Sequence, residues 1–241
     1  MFVPKSCDNR SRRDTCSQFF QMIGTALAER DPIEAAPGSD VQQVQRRVVR
    51  VLATAQILGG IGTAAGAAVG ALLAADLSME SLSGLSSASS TIGAALIALP
   101  VARVMTLRGR RPGLLLAYLI GIVGAIVVVT GSILSLFPLA LFGLMLTGGG
   151  QTAGLQSRYA ATDLAAPETR GRSLATVVWA TTIGSVLGPN LAEPMGNLAE
   201  RVGVPRLAGP YMLTVVVFIV AAAMIAVMLR PDPLHVAREH H

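Results

Sequence analysis

The chain has 241 residues, 52% hydrophobic and only 14% charged, with a mean hydropathy of +0.58. An ordinary soluble domain carries about 25% charged residues, and here the apolar residues arrive in long blocks, which points to an all-α multi-pass membrane protein and away from a water-soluble core. A net charge of +5 and a pI near 10.0 would suit nucleic acid, but the basic residues are arginine clusters without interleaved aromatics, so a nucleic-acid partner is excluded and a lipid bilayer is expected.

Residues 1–45 read as a polar cytoplasmic tail, largely disordered. The stretch lacks a signal-peptide core beside a cleavage site, ends in a PGSD turn signal and has room for one short helix around Gln18 to Glu29. Cys7 and Cys16 are the only cysteines and have no neighbouring histidine, so they read as free thiols in a reducing compartment rather than metal ligands.

Six apolar blocks follow, at about 51–75, 84–102, 114–133, 137–156, 174–191 and 211–229. Each approaches the roughly 20 residues an α-helix needs to cross about 30 Å of hydrocarbon. Helices are forced there, because lipid offers backbone groups no hydrogen-bond partner. Residues 46–230 thus form a six-helix transmembrane domain, with 231–241 a second cytoplasmic tail. The first block carries Gly62, Gly66 and Gly70 on one face, and the fourth carries Gly150 and Gly154 within TGGGQTAG; glycines four apart admit a neighbouring helix at close range. The second block opens with SGLSSASST, small hydroxyl residues that suit a protein-facing helix. The third and fourth are joined by almost no loop, which predicts an antiparallel hairpin. The fifth contains TIGSVLGPN, where Gly184 and Gly188 open a groove and Pro189 removes a backbone donor near the outer end. The connection from Glu193 to Gly209 is the longest between blocks, with room for one amphipathic turn.

Arginine placement predicts orientation. With a cytoplasmic N-terminus, the inner segments hold Arg46, Arg47 and Arg50, then Arg103, Arg108, Arg110 and Arg111, then Arg158, Arg170 and Arg172, and finally Arg230 and Arg238. The outer connections hold Arg201 and Arg206. This positive-inside asymmetry places both termini in the cytoplasm.

Chemistry-bearing motifs are missing from the sequence. His235, His240 and His241 are the only histidines, all in the terminal tail, and no HExxH, no GxxxxGK[ST] and no Ser, His and Asp constellation occurs. No enzyme activity, metal or cofactor is expected. The middles of the six spans contain no Asp, Glu, His, Lys or Arg, the usual marks of an ion pathway. Gln56, Gln151, Trp179 and Asn190 are therefore the polar candidates for a cavity, although each reads more readily as a hydrogen-bond partner between helices. Asp76 and Glu193 fall at the outer rim.

Two stretches carry a resemblance. The segment ARVMTLRGRR at 102–111 ends in Gly109, Arg110 and Arg111, and is similar to the loop signature between the second and third helices of the major facilitator superfamily; Ala102 and Thr106 stand where that pattern has glycine and aspartate. TIGSVLGPN resembles the same family's fifth-helix signature, with Gly184, Gly188 and Pro189 matching, and RYAATDLAAPETRGRSLA at 158–175 looks like its connector between helices four and five. The resemblance covers about residues 45–230. It implies the amino-terminal six-helix half of a twelve-helix transporter, a plasma-membrane location and alternating access for an unknown small molecule, nearest to the drug-efflux or antiporter branches. Helices one and four would line the cavity. Arg103, Gly109, Arg110, Arg111, Arg158, Asp163, Glu168 and Arg170 would form a cytoplasmic gate, in which carboxylates among guanidiniums make and break charge-assisted bonds. An ordinary interfacial ion-pair cluster is the alternative for those residues, and Glu168 after Pro167 also suits a helix start. The missing half would come from a second six-helix unit or a second copy of this chain. The other reading left open is a non-transporting membrane interaction protein or an inactive remnant of a transporter.

Overall fold

The computed structural model describes residues 39–77, 83–163 and 165–229. The expected tail helix around 18–29, both cysteines, the three histidines, Arg230 and Arg238 lie outside the described residues. The described chain forms six long helices: α1 (Ser39–Leu77), α2 (Ser83–Arg108), α3 (Arg110–Ile133), α4 (Phe137–Ala160), α5 (Pro167–Arg201) and α6 (Gly209–Met228), with a 3-10 turn at Arg206–Ala208 before the last.

Five of the six, all but α4, include a stretch long and apolar enough to cross a membrane. In α4 the run Thr147–Gly154 dilutes the apolar composition, and its glycines are buried inside the bundle rather than turned to lipid. A Cβ added at Gly149 would lie 2.5 Å from the Ala117 carbonyl oxygen of α3, and one added at Gly148 would run into the backbone of α2 at Ala94. Glycine is required at both positions by backbone approach.

Three helices run more than one and a half turns past their expected bounds. The first begins at Ser39, twelve residues before the apolar block and inside the stretch read as a tail. The reason is periodic: Gln45, Val48, Val51, Leu52 and Ala55 are buried on one face, while Gln43, Arg46, Arg47 and Arg50 point outward. That 3-4 spacing is an amphipathic helix entry. The second continues past Pro100 to Arg108, because Val101 and Met105, four apart, are both buried in the core. The expected loop at 102–111 therefore shrinks to Gly109 alone. The fifth runs through Pro189 and Pro194 to Arg201, so the expected long connection from Glu193 is mostly helix. Its extension is held from the next segment: Gly196 lies under Arg206, and Gly209 abuts the Met195 carbonyl.

The core joins all six helices through Leu52, Val101, Met105, Leu114, Tyr118, Ala153, Val177, Phe218 and Ile225. Tyr118 and Phe218 meet edge to face at a 5.5 Å centroid separation, and Tyr118 donates its hydroxyl hydrogen to the Ala55 carbonyl at 3.2 Å. The glycine stripe of α1 receives a neighbouring helix, α6, through its aromatic side chains. Gly62 and Gly66 seat the rings of Phe218 and Tyr211 from α6, whereas the backbone-to-backbone approach of α1 uses Gly60 on another face, against Gly184 of α5.

Candidate functional site

Polar chemistry concentrates at the end of the bundle where α2 meets α3 and α4 meets α5. Gly109 has φ 103° and ψ 173°, a conformation open essentially to glycine, and its N–H donates to the Met105 carbonyl at 3.1 Å. The reversal takes a single residue, so Arg110 and Arg111 stand in the first turn of α3. Arg110 donates from Nε to Asp163 Oδ2 at 2.8 Å and from Nη2 to Oδ1 at 3.0 Å. This fork-on-carboxylate geometry is the strongest form of the pair. Arg111 donates to the Ala226 carbonyl in the last turn of α6 at 2.6 Å, where a cation complements the helix dipole. Gln45 of α1 donates to the Ala161 carbonyl at 2.7 Å and lies 3.4 Å from the Ser173 hydroxyl of α5.

The remaining members of the expected gate are not all drawn together. Arg158 is half-buried, with an Nε that has no hydrogen-bond partner among the described residues. Arg170 is exposed and lines a shallow depression with Thr162, Asp163, Gly171 and Leu174. Arg103 is exposed on α2, and Thr106 donates to the Arg103 carbonyl at 2.9 Å. Glu168 is exposed in the first turn of α5 directly after Pro167, as a helix start would place it.

On α5 the glycines face α1. A Cβ at Gly184 would lie 2.6 Å from the Ile57 carbonyl oxygen, and one at Gly188 would lie 2.7 Å from Ala64 Cβ and 2.8 Å from both Ala65 N and the Ile61 carbonyl oxygen. Pro189, next in sequence, is exposed.

At the opposite end of the bundle a cavity of about 100 Å³ lies among α1, α2, α4 and α6, lined by Thr63, Ser90, Thr147, Gln151, Tyr211 and Phe218 with neighbouring glycines and serines. Of the four expected cavity residues, Gln151 lines it, donating to Ser90 Oγ at 3.0 Å. Gln56 is elsewhere, only 4% exposed and packed beside Gly154, with its Oε1 unpartnered among the described residues. Trp179 is 69% exposed on the outer face of α5, and Asn190 folds back to donate to the Val186 carbonyl at 2.6 Å. Thr63, Tyr211 and Thr214 were not singled out by sequence, since hydroxyls inside apolar runs look alike until the helices are packed. The SGLSSASST opening of α2 was the available signal.

Two proteins of Bacillus subtilis (strain 168) named as uncharacterized MFS-type transporters, YddS and YdeG, are 40% and 41% identical to this chain over 196 and 198 residues, which is 81% and 82% of the chain. A riboflavin transporter of Brucella anthropi, RfnT, is 30% identical over 148 residues, 61% of this chain and 37% of its own length. No family model matches the chain, and no solved structure matches it. The chain covers 45% and 46% of the two Bacillus proteins, so it spans about half the length of the curated relatives it matches. Apolar helices of membrane length and about 40% identity to two MFS-type transporters across four fifths of the sequence lead to one assignment: the chain belongs to the major facilitator superfamily.

Proposed function

We propose that this helical unit is the amino-terminal half of an alternating-access transporter for small molecules, of the drug-efflux or antiporter type, set in the plasma membrane with both termini cytoplasmic. The observation that carries the reading is the Arg110–Asp163 clasp, which ties α3 to the segment between α4 and α5 at one end of the bundle. A charge-assisted pair at a partly wet boundary can open and close with a gate, whereas a fully buried one is too costly to break. The close glycine contact of α5 with α1 supports the same reading, because a smooth interface of small residues permits sliding. A second six-helix unit, or a second copy of this chain, completes the pathway.

The test is flux. The purified chain is reconstituted in liposomes under an imposed proton gradient, and uptake of ethidium and of riboflavin is followed, the latter because RfnT is named a riboflavin transporter. Flux of one probe above protein-free vesicles, lost in Arg110→Ala, is expected. Assembly state is read in parallel on a blue-native gel. A folded monomer that moves neither probe under any gradient would replace this proposal with the non-transporting reading.

A further inference from the structure

Six hydroxyl groups around the cavity among α1, α2, α4 and α6 give their hydrogens to backbone carbonyls. Thr63 donates to the Gly59 carbonyl at 3.0 Å, Ser87 to Gly84 at 3.0 Å, Ser90 to Ser87 at 3.4 Å, Thr147 to Leu144 at 2.6 Å, Tyr211 to Gly66 at 2.9 Å and Thr214 to Gly62 at 2.9 Å. A hydroxyl has one hydrogen and two lone pairs, so these six hydroxyls, their hydrogens given to backbone carbonyls, offer a ligand acceptor capacity, while Gln151 at the rim keeps a second amide N–H beside the one it gives to Ser90 Oγ. The Tyr211 and Thr214 bonds also join α6 to α1, so their hydrogens cannot turn to a ligand without loosening that contact. Phe218 and the Tyr211 ring supply apolar wall, and no charged side chain lines the space.

We propose that this cavity binds the hydrogen-bond-donating end of a small neutral molecule, an N–H or O–H carried on an aromatic or similarly apolar body. Carboxylates and phosphates are rejected, since most of the polar lining would meet their lone pairs with lone pairs and no cationic side chain lines the space to balance the charge. Ammonium ions are rejected as well, because an unpaired charge drawn out of water is far more costly than one hydrogen bond returns. Size agrees with this: about 100 Å³ against about 30 Å³ for a water's share of liquid volume admits a group of a few heavy atoms. The rest of the ligand extends through the rim, where Ala67, Ser87 and Gln151 are exposed. As the ligand class of the transport pathway, this proposal rests on the reading above, but it is tested by equilibrium binding and so fails separately from it.

The probes are indole, 1-methylindole, which keeps the body and loses the donor, benzoate and benzylammonium. Each is titrated by saturation-transfer NMR into the full chain in detergent micelles. Ser87→Phe, an exposed rim position, closes the mouth and controls for partition into the micelle; Thr63→Val removes one acceptor while keeping the shape. Thermal unfolding verifies that both variants fold. Saturable indole binding is expected, weakened at least about tenfold for the other three probes, equivalent to about 1.4 kcal/mol. Thr63→Val should weaken indole binding and Ser87→Phe should abolish it. Equal binding of 1-methylindole, tighter binding of either ion, indole binding unchanged in Ser87→Phe, or no saturable indole binding by the native chain would each overturn the proposal. Indole binding without ethidium or riboflavin flux would leave it standing while the transport reading fails.

Discussion

Arg110 and Asp163 bring two opposite charges together with side chains 20% and 13% exposed, in between a wet surface pair and a dry one. Removing one partner strands the other, so Asp163→Asn is expected to cost about 1.5–3 kcal/mol, the range for hydrogen bonds to charged groups, measured by thermal unfolding in micelles. The exchanged pair Arg110→Asp with Asp163→Arg should recover part of that loss in a double-mutant cycle; no recovery would mean that the contact contributes little. Gln56 poses the opposite case. Its Oε1 is buried without a partner among the described residues, so Gln56→Leu should leave stability unchanged or raise it. A marked fall in the unfolding midpoint would mean that the amide has a structural partner after all, and retained stability with lost flux would assign it to the pathway. The clasp was legible from the charges at 158–172 beside those at 103–111, but the choice of Arg110 over Arg103 or Arg111 was not. That choice depends on the one-residue turn at Gly109, which starts α3 at Arg110.

The contact of α1 with α5 is built on small residues in register. Val177, Ala180, Gly184 and Gly188 are the buried positions along the membrane stretch of α5, and Gly188 meets both side chain and backbone of α1 at Ala64 and Ala65. Gly188→Ala should cost about 1–3 kcal/mol by overpacking. Gly188→Leu should separate the two helices and abolish flux together with the close contact; a folded Gly188→Leu protein with normal flux would argue against a moving interface. Sequence marked this pair of glycines correctly as an unusual feature. The stripe at Gly62, Gly66 and Gly70 was read as a seat for a neighbouring helix, but spacing reveals where side chains are small and not that the neighbour is α6 or that the rings of Phe218 and Tyr211 fill the groove.

For the whole molecule, orientation is the property that can be tested most directly. Cys7 and Cys16 are the only thiols, so a membrane-impermeant maleimide should leave intact cells unlabelled and label inside-out vesicles or permeabilised cells. Labelling of intact cells would reverse the proposed topology. Two helices turn much of their surface outward: Ile92, Leu96 and Leu99 on α2, and Trp179, Ile183 and Val186 on α5 are all exposed. Lipid tolerates such faces, being as apolar as leucine, and a second bundle would cover them equally well.

Hydropathy and charge placement alone dictated an all-α membrane protein with long helices and a cluster of arginines at one end, since the bilayer acts on each span independently of its neighbours. Signature glycines and the 158–175 connector were enough to indicate the family before any helix was placed. Packing decided the rest. Whether residues 39–50 and 192–201 are helix depends on partners outside those stretches, Ala161 far along the chain from Gln45 and Arg206 just past the end of α5. The direction of six cavity hydroxyls likewise depends on carbonyls that only a folded helix brings within reach, some on a neighbouring helix, as Gly62 and Gly66 are for Thr214 and Tyr211. A hydrogen bond has a direction and a span does not, so local composition determined the spans while only the tertiary structure decided what the cavity can accept.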